Sequence, residues 1–147
     1  MTETARPAED SDGPACARLL DLILGAAQTM RGGPALVGHE TAETLLARWQ
    51  GPEGASLWVG EYAGVVVGLL AVTVHDARSR IECCYVEEGA RGVGVGSALM
   101  HEAVAWSEAR GCQEVDALAL PGDRQTKQRL EAAGFTARLL TLSRRLG

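Results

Sequence analysis

Ile81-Glu82-Cys83-Cys84-Tyr85-Val86-Glu87-Glu88-Gly89-Ala90-Arg91-Gly92-Val93-Gly94-Val95-Gly96-Ser97-Ala98-Leu99-Met100, continuing to Arg110, decides how this chain is read. Ile81 to Val86 reads as a buried strand, and Arg91 to Gly96 as a glycine-rich turn. Ser97 to Arg110 reads as a helix with Val95, Leu99, Ala103 and Trp106 on one apolar face. Gly92, Gly94 and Gly96 leave no side chains over the turn, so the backbone can approach a ligand and point its N–H groups at it. The helix that follows brings its unpaired N–H groups and the positive end of its dipole to the same place. That combination is an anion site, and phosphate is its usual occupant.

Three phosphate motifs compete for the turn. A P-loop needs Gly-Lys-Ser/Thr at its end, and the chain's one lysine, Lys127, lies far from it. A dinucleotide fingerprint would use Gly92 and Gly94, but its third glycine falls on Ser97. It also needs further alternating strands and helices, for which the remaining residues are too few. The third motif matches. Arg91-Gly92-Val93-Gly94-Val95-Gly96 resembles the Arg/Gln-x-x-Gly-x-Gly/Ala signature of the GNAT superfamily of N-acetyltransferases. Tyr85-Val86-Glu87-Glu88 before it and Gly134-Phe135 after it resemble the same family, as does Arg6-Pro7-Ala8-Glu9-Asp10-Ser11-Asp12 near the start. A ligand-free tight turn is the plain alternative, but each glycine adds conformational entropy to the cost of folding.

Composition narrows the classes. The 147 residues suit a single domain, 1–147, with 46% hydrophobic residues to form a core. Aromatics are 4%, so that core is built of Leu, Val and Ala. A net charge of −5 argues against nucleic acid as a partner and is compatible with a cationic amine. Cys16, Cys83, Cys84 and Cys112 form no Cys-x-x-Cys pair, so neither a disulfide framework nor a zinc site is expected, and no other metal either. Free thiols, a polar Met1 to Asp12 unlike a signal peptide, and an apolar run from Ala63 to Val74 too short to cross a bilayer point to a cytoplasmic protein without a membrane partner.

In order, Thr2 to Pro7 is expected as an edge strand and Ala15 to Met30 as a helix with Leu19, Leu22, Ile23 and Ala26 inward. Arg31-Gly32-Gly33-Pro34 breaks it, and Glu40 to Gln50 forms a second helix. Ser56 to Tyr62, Val65 to Val74 and Ile81 to Val86 are strands, with a tight reversal at Ala63-Gly64 and a polar turn over His75 to Arg80. Glu114 to Leu120 is a strand, Asp123 to about Ala133 a helix, and Thr136 to Leu146 supplies one or two further strands. No repeat is supported by Gly60, Gly64 and Gly68. The fold class is mixed α/β, a central and largely antiparallel, splayed sheet flanked by about four helices.

The resemblance implies the rest of the site. The turn would hold the pyrophosphate of acetyl-CoA through Arg91, Gly92, Val93, Gly94, Gly96 and Ser97, with Tyr85, Val86 and Asp123 along the pantetheine arm. A bulge in the strand carrying Tyr85 would splay it from the next and admit the acyl chain, and the loop Gly32 to His39 would face the acceptor. The family's usual general acid, a Tyr before Gly-Phe, falls here on Leu130, preceded by Arg129. Glu82 is the candidate base, on the side of Cys84 and Val86 by alternation, with burial raising its pKa; pairing with Arg78 or Arg80 is the competing role. Cys84 as an acyl-carrying nucleophile has no visible activating base. Glu87 and Glu88 are expected in solvent. The expected activity is acetyl transfer from acetyl-CoA to a primary amine, on a small molecule or a peptide, in a ternary complex. The rivals are a non-catalytic acyl-CoA-binding module and a partner-binding domain. Homodimers are frequent among similar proteins.

Overall fold

The strands occur in space in the order in which they occur in the chain, β1-β2-β3-β4-β5. The computed structural model describes residues 3–147. β1 (Glu3–Pro7), β2 (Ala55–Tyr62), β3 (Val65–His75) and β4 (Arg78–Val86) pair antiparallel in succession, and β5 (Glu114–Ala117) lies parallel to β4. Thr2, expected in the first strand, lies outside the described residues. The helices are α1 (Gly13–Gln28), α2 (Gly33–Val37), α3 (Ala42–Trp49), α4 (Val95–Ala109) and α5 (Arg124–Ala132).

Alternation along the strands divides the core in two. Leu57, Val59, Leu69 and Ala71 face one way and pack with Leu19 and Leu20 of α1 and Leu45 and Trp49 of α3. Trp58, Leu70, Val72, Ile81 and Val86 face the other way and pack with Val95, Leu99, Met100 and Ala103 of α4 and Leu130 of α5. β3 is buried on both faces, which is why its sequence is a continuous apolar run.

Local chemistry sets the boundaries. Ala63 and Gly64 both have positive φ, 53° and 81°, and close the β2–β3 hairpin in two residues. The β3–β4 turn is shorter than the polar stretch His75 to Arg80 suggests: Asp76 takes φ 59° and β4 starts at Arg78. Thr41 and Thr44 form a reciprocal cap on α3. The Arg6–Asp12 stretch is a clamp. Arg6 donates to both carboxylate oxygens of buried Asp12, at 2.8 and 3.0 Å, and to Glu61 at 3.1 Å. The guanidinium and the Glu9 N–H hold the Asp12 carboxyl below its usual range.

Gly60 and Gly68 are cross-strand partners on the α4 face. A Cβ on Gly60 would collide with Val95 Cγ1, and one on Gly68 would stand 3.0 Å from Val95 Cγ1 and 3.1 Å from Leu99 Cδ1. The two glycines form a bare patch into which the first turn of α4 settles. Its last turn is tied by the Ser107 hydroxyl, 2.6 Å from the buried Ser79 hydroxyl of β4.

Three expectations are corrected. The stretch taken as an open loop, Gly32 to His39, contains α2, whose Gly33 sits so close to the Ala27 carbonyl that no side chain would fit. β5 ends at Ala117 rather than Leu120. Thr136 to Leu146 forms no strand, and Leu139, Leu140, Leu142 and Leu146 stand exposed. Strand propensity is realised only against a partner edge, and β5 offers four residues, with Glu114 and Asp116 already drawn to Arg78.

The bare patch yields a stability prediction. Gly68→Ala forces α4 outward and should cost about 2 kcal/mol, lowering the melting temperature by roughly 6 °C. Gly25→Ala, inside α1 with open space at its Cβ position, should instead raise it slightly. Thermal unfolding of the two variants beside the parent chain checks the contrast.

Candidate active site

The glycine turn joins the end of β4 to α4 through a short 3-10 turn at Glu88–Ala90. Gly92 and Gly94 have φ of +87° and +92°, in the region that side chains avoid. Gly94 is the N-cap residue of α4, so the helix starts inside the turn, two residues earlier than the sequence suggests. Gly96 needs its hydrogen for another reason: a Cβ there would collide with the Arg129 side chain. Val93 turns inward against the core and can offer only its backbone.

Around the turn lies a cavity of about 350 Å³ lined by Val86, Ala90, Arg91, Gly92, Gly94, Val95, Gly96, Ser97 and Arg129. A second, of about 320 Å³, adds Gln125 and Gln128 of α5 and shares Arg91, Gly92, Ser97 and Arg129 with the first. The structure therefore brings Val86, Arg91, Gly92, Gly94, Gly96 and Ser97 together as expected. Arg91 is folded back so that Nε donates to the Val86 carbonyl at 2.9 Å, and its guanidinium lies 5.6 Å from the Tyr85 ring centroid. Tyr85 itself packs among the residues beneath α1 and α3, away from the cavity. Asp123 caps α5: its two carboxylate oxygens accept from the Thr126 N–H at 3.2 Å and the Thr126 hydroxyl at 2.7 Å. The cap accounts for both oxygens, and Asp123 lines neither cavity.

The sheet is open beside this cavity. β5 pairs with β4 only from Arg78 to Ile81, so Glu82 to Val86 have no partner on that side. β4 also carries a bulge. Ala71 pairs with Cys83 and Val72 with Ile81, which leaves Glu82 as the extra residue. The bulge corrects the expected orientation of Glu82. Its carboxylate accepts from the Thr73 hydroxyl at 2.7 Å, on the face of Leu69 and Ala71, while Cys84 and Val86 face α4. Among the described residues it meets neither Arg78 nor Arg80 within ion-pair distance, and Arg78 is taken by Glu114 and Asp116 of β5. The Thr73 hydroxyl also lies 3.2 Å from Nε2 of His75, so the hairpin links an exposed histidine to Glu82 through one hydroxyl.

Other expectations divide. Glu87 is bound to Arg18 of α1 at 2.7 Å rather than solvated, and this ties the start of the loop to the opposite layer. Glu88 is exposed. His39 is exposed between α2 and α3 and joins none of these groups. Burial pushes the thiol pKa of Cys83 upward, that of Cys84 upward against the opposing pull of Arg129, and that of Cys16 up to about 11, which disfavours the thiolate a nucleophile needs. Leu130 is buried in the α4-side core. The α5 residue that reaches the cavity is its neighbour Arg129, whose Nη1 lies 3.5 Å from the Cys84 carbonyl oxygen. Neither Arg129 nor the Thr73–His75 pair was picked out as functional from sequence. The hairpin register would have placed Thr73 near Glu82, and a cation two residues before the Glu131-Ala132-Ala133-Gly134 helix end was the one signal for Arg129.

Residues 26–135 match the family model described as Acetyltransferase (GNAT) family. No curated protein matches the chain in sequence. Solved structures share the fold over nearly the whole length. A transcriptional regulator from Bacillus halodurans C-125 superposes with a TM-score of 0.70 at 21% identity, over 99% of this chain and 100% of that one. A ribosomal-protein-alanine N-acetyltransferase from Brucella melitensis biovar Abortus 2308 gives 0.73 at 14%, over 99% and 100%. An aminoglycoside acetyltransferase from an uncultured soil metagenomic sample, in complex with sisomicin, gives 0.71 at 14%, over 99% and 95%. At such identities the likeness establishes the fold. The matched residues take in the strand, the glycine turn, α4 and the Gly134-Phe135 end of α5, and on that match the chain belongs to the acetyltransferase (GNAT) family.

Proposed function

We propose that this protein transfers an acetyl group from acetyl-CoA to a primary amine by direct attack within a ternary complex. The observation that carries the reading is the continuity of three features. The glycine cradle at the N-terminus of α4 opens into a cavity with two arginines, and that cavity reaches β4 at Val86, the last residue of the unpaired stretch Glu82 to Val86. Among the described residues, neither Arg91 nor Arg129 has a carboxylate within ion-pair distance, whereas Arg6, Arg18, Arg48 and Arg78 each do. A pyrophosphate suits the cradle, with Arg91 beside it as an unpaired cation. The free N–H and C=O groups of β4 suit an amide-bearing arm laid beside the strand. Direct attack is favoured because burial disfavours the thiolate form of Cys83 and Cys84.

Glu82 is the proposed base. It is half-buried at the bulge, beside the gap, and it is held by one hydroxyl rather than by a cation. Through Thr73 a proton has a path to the exposed His75. The second reading, an acyl-CoA-binding module without turnover, is favoured by one observation: the usual acid position, Leu130, is a core residue. Release of free thiol that depends on an added amine separates the two readings. Polyamines, amino acids, aminoglycosides and peptide N-termini form the panel.

Four outcomes are expected. In thermal-shift titrations, acetyl-CoA and CoA stabilise the protein, by about 2.7 kcal/mol at a hundredfold excess over Kd, while NAD and ATP do not. Gly94→Glu removes the response, because it places a bulky anion in a positive-φ position beside Glu3; a full response in that variant would sink the assignment. Glu82→Gln keeps the acetyl-CoA shift but lowers kcat roughly 100-fold, and retention of full turnover would remove Glu82 as the base. In the native protein at pH 8, Ellman's reagent reacts with Cys112 and spares the other three thiols, while Cys84→Ala retains turnover. Loss of turnover in Cys84→Ala with acetyl-CoA binding intact would instead indicate an acyl-enzyme.

A further inference from the structure

We propose that Arg129 stabilises the sulfur anion that leaves when the acetyl group is transferred, a role that rests on the acetyltransferase reading above and supplies what Leu130 does not. Three observations converge on this side chain. Its Cδ, Nε and Cζ lie across the N-terminus of α4, where a glycine, Gly96, gives them room. Its guanidinium is half-buried, lines both cavities and meets no carboxylate within ion-pair distance among the described residues. Its tip is aimed at β4, with Nη1 3.5 Å from the Cys84 carbonyl oxygen and 3.9 Å from the Cys84 sulfur.

From the glycine turn the tip extends along β4. Arg91 is anchored at Val86, where β4 runs into the glycine turn. Arg129 is anchored two residues upstream, which on a strand is about 6.5 Å further from the turn. Of the two unpaired cations, Arg91 therefore serves the pyrophosphate end and Arg129 the far end of any ligand that follows β4. The far end is where the thioester stands. The guanidinium also lies against a thiol already, which shows that a sulfur fits beside it.

The chemistry balances without an acid. The amine nitrogen forms a bond to the acetyl carbon, the carbon–sulfur bond breaks, and its electron pair stays on sulfur. The proton lost by the amine passes to Glu82 and from there to solvent. The thiolate remains ionised beside the guanidinium of Arg129, which donates hydrogen bonds and accepts none. The thiolate takes a proton from water after release. The titratable and charged groups known to face the guanidinium are Arg91 from the loop and Cys84 from β4, and the former adds to its effect on an anion.

The test uses CoA and desulfo-CoA, which lacks the thiol, with the full chain and with Arg129→Met and Arg129→Lys. Affinities are measured by calorimetry from pH 7 to pH 9. In the parent protein the preference for CoA over desulfo-CoA should rise about tenfold across that range, as the bound thiol ionises below its free value. In Arg129→Met the preference should stay flat while desulfo-CoA binds as before, and Arg129→Lys should restore part of the rise. Thiolate absorbance of bound CoA gives the same ionisation directly. With any acceptor found in the amine panel, Arg129→Met should lower kcat roughly 100-fold with little change in the acetyl-CoA KM. Equal weakening of CoA and desulfo-CoA in Arg129→Met would make Arg129 a phosphate-binding cation and overturn the proposal, as would a pH-independent preference in the parent protein. Failure of the parent protein to bind either ligand is a distinct result that removes the acetyltransferase reading itself.

Discussion

The seating of α4 on the paired glycines Gly60 and Gly68 fixes where everything else in the site can stand. Val95 and Leu99 occupy the space that two side chains would fill, so the first turn of α4 lies close against β2 and β3. Interiors are packed densely enough that a single added methyl displaces a helix rather than compressing it. The N-terminus of α4 is therefore held at one height above the sheet, level with the end of β4. The Ser79–Ser107 hydrogen bond fixes the other end of the helix against the start of the same strand. The glycine turn is thus tethered at both ends, to β4 and to the seated first turn of α4. Such preorganisation is what makes a row of backbone donors effective.

Magnitudes decide which feature of the loop matters. A helix terminus contributes about 0.3–1 kcal/mol toward a nearby anion in an exposed setting. Micromolar binding requires about 8 kcal/mol. The dipole is thus a minor part, and the larger share must come from several charge-assisted contacts made together. The setting of Arg91 in the cavity fits that requirement. In a chain with a net charge of −5, surface carboxylates are plentiful, and four arginines are neutralised by them. Arg91 and Arg129 are held instead by backbone carbonyls of β4, which position a guanidinium without cancelling its charge.

Much of this was legible in the sequence, for a physical reason. Strand alternation, helical period and glycine turns are local, so residues 81–110 disclosed strand, loop and helix, and with them the family. The two-residue offset at the start of α4 is a boundary effect of a left-handed Gly94 acting as cap. What escaped was set by partners. The bare patch consists of Gly60 and Gly68, eight positions apart, which only the hairpin register unites. The bulge at Glu82 is a mismatch between two strands and leaves no mark on either alone. The choice between Arg129 and Leu130 for the cavity depends on the rotation of α5 about its axis, and adjacent helical residues differ by about 100°. The tail from Thr136 onward has strand-like composition, but a strand is a relation between two segments, and β5 is too short to complete it.

The bulge has an electrostatic consequence beyond opening the sheet. Without it, strict alternation would place the Glu82 carboxylate on the same face as Cys84, two residues from the carbonyl that anchors Arg129. A carboxylate and a guanidinium 4 Å apart attract by about 4 kcal/mol at an effective dielectric constant of 20, so the two side chains would close on each other. The pair would tie up the carboxylate, and it would spend the positive charge that an anionic group needs. With one extra residue in β4, Glu82 turns to Thr73 on one face of the sheet while Arg129 reaches Cys84 from the other. The strand between them is the stretch that β5 leaves unpaired. A reaction centred on that gap would meet a proton acceptor from one side and a cation from the other. The bulge thus separates two opposite charges that the linear sequence sets side by side, and a site that must remove a proton while retaining a leaving anion requires that separation.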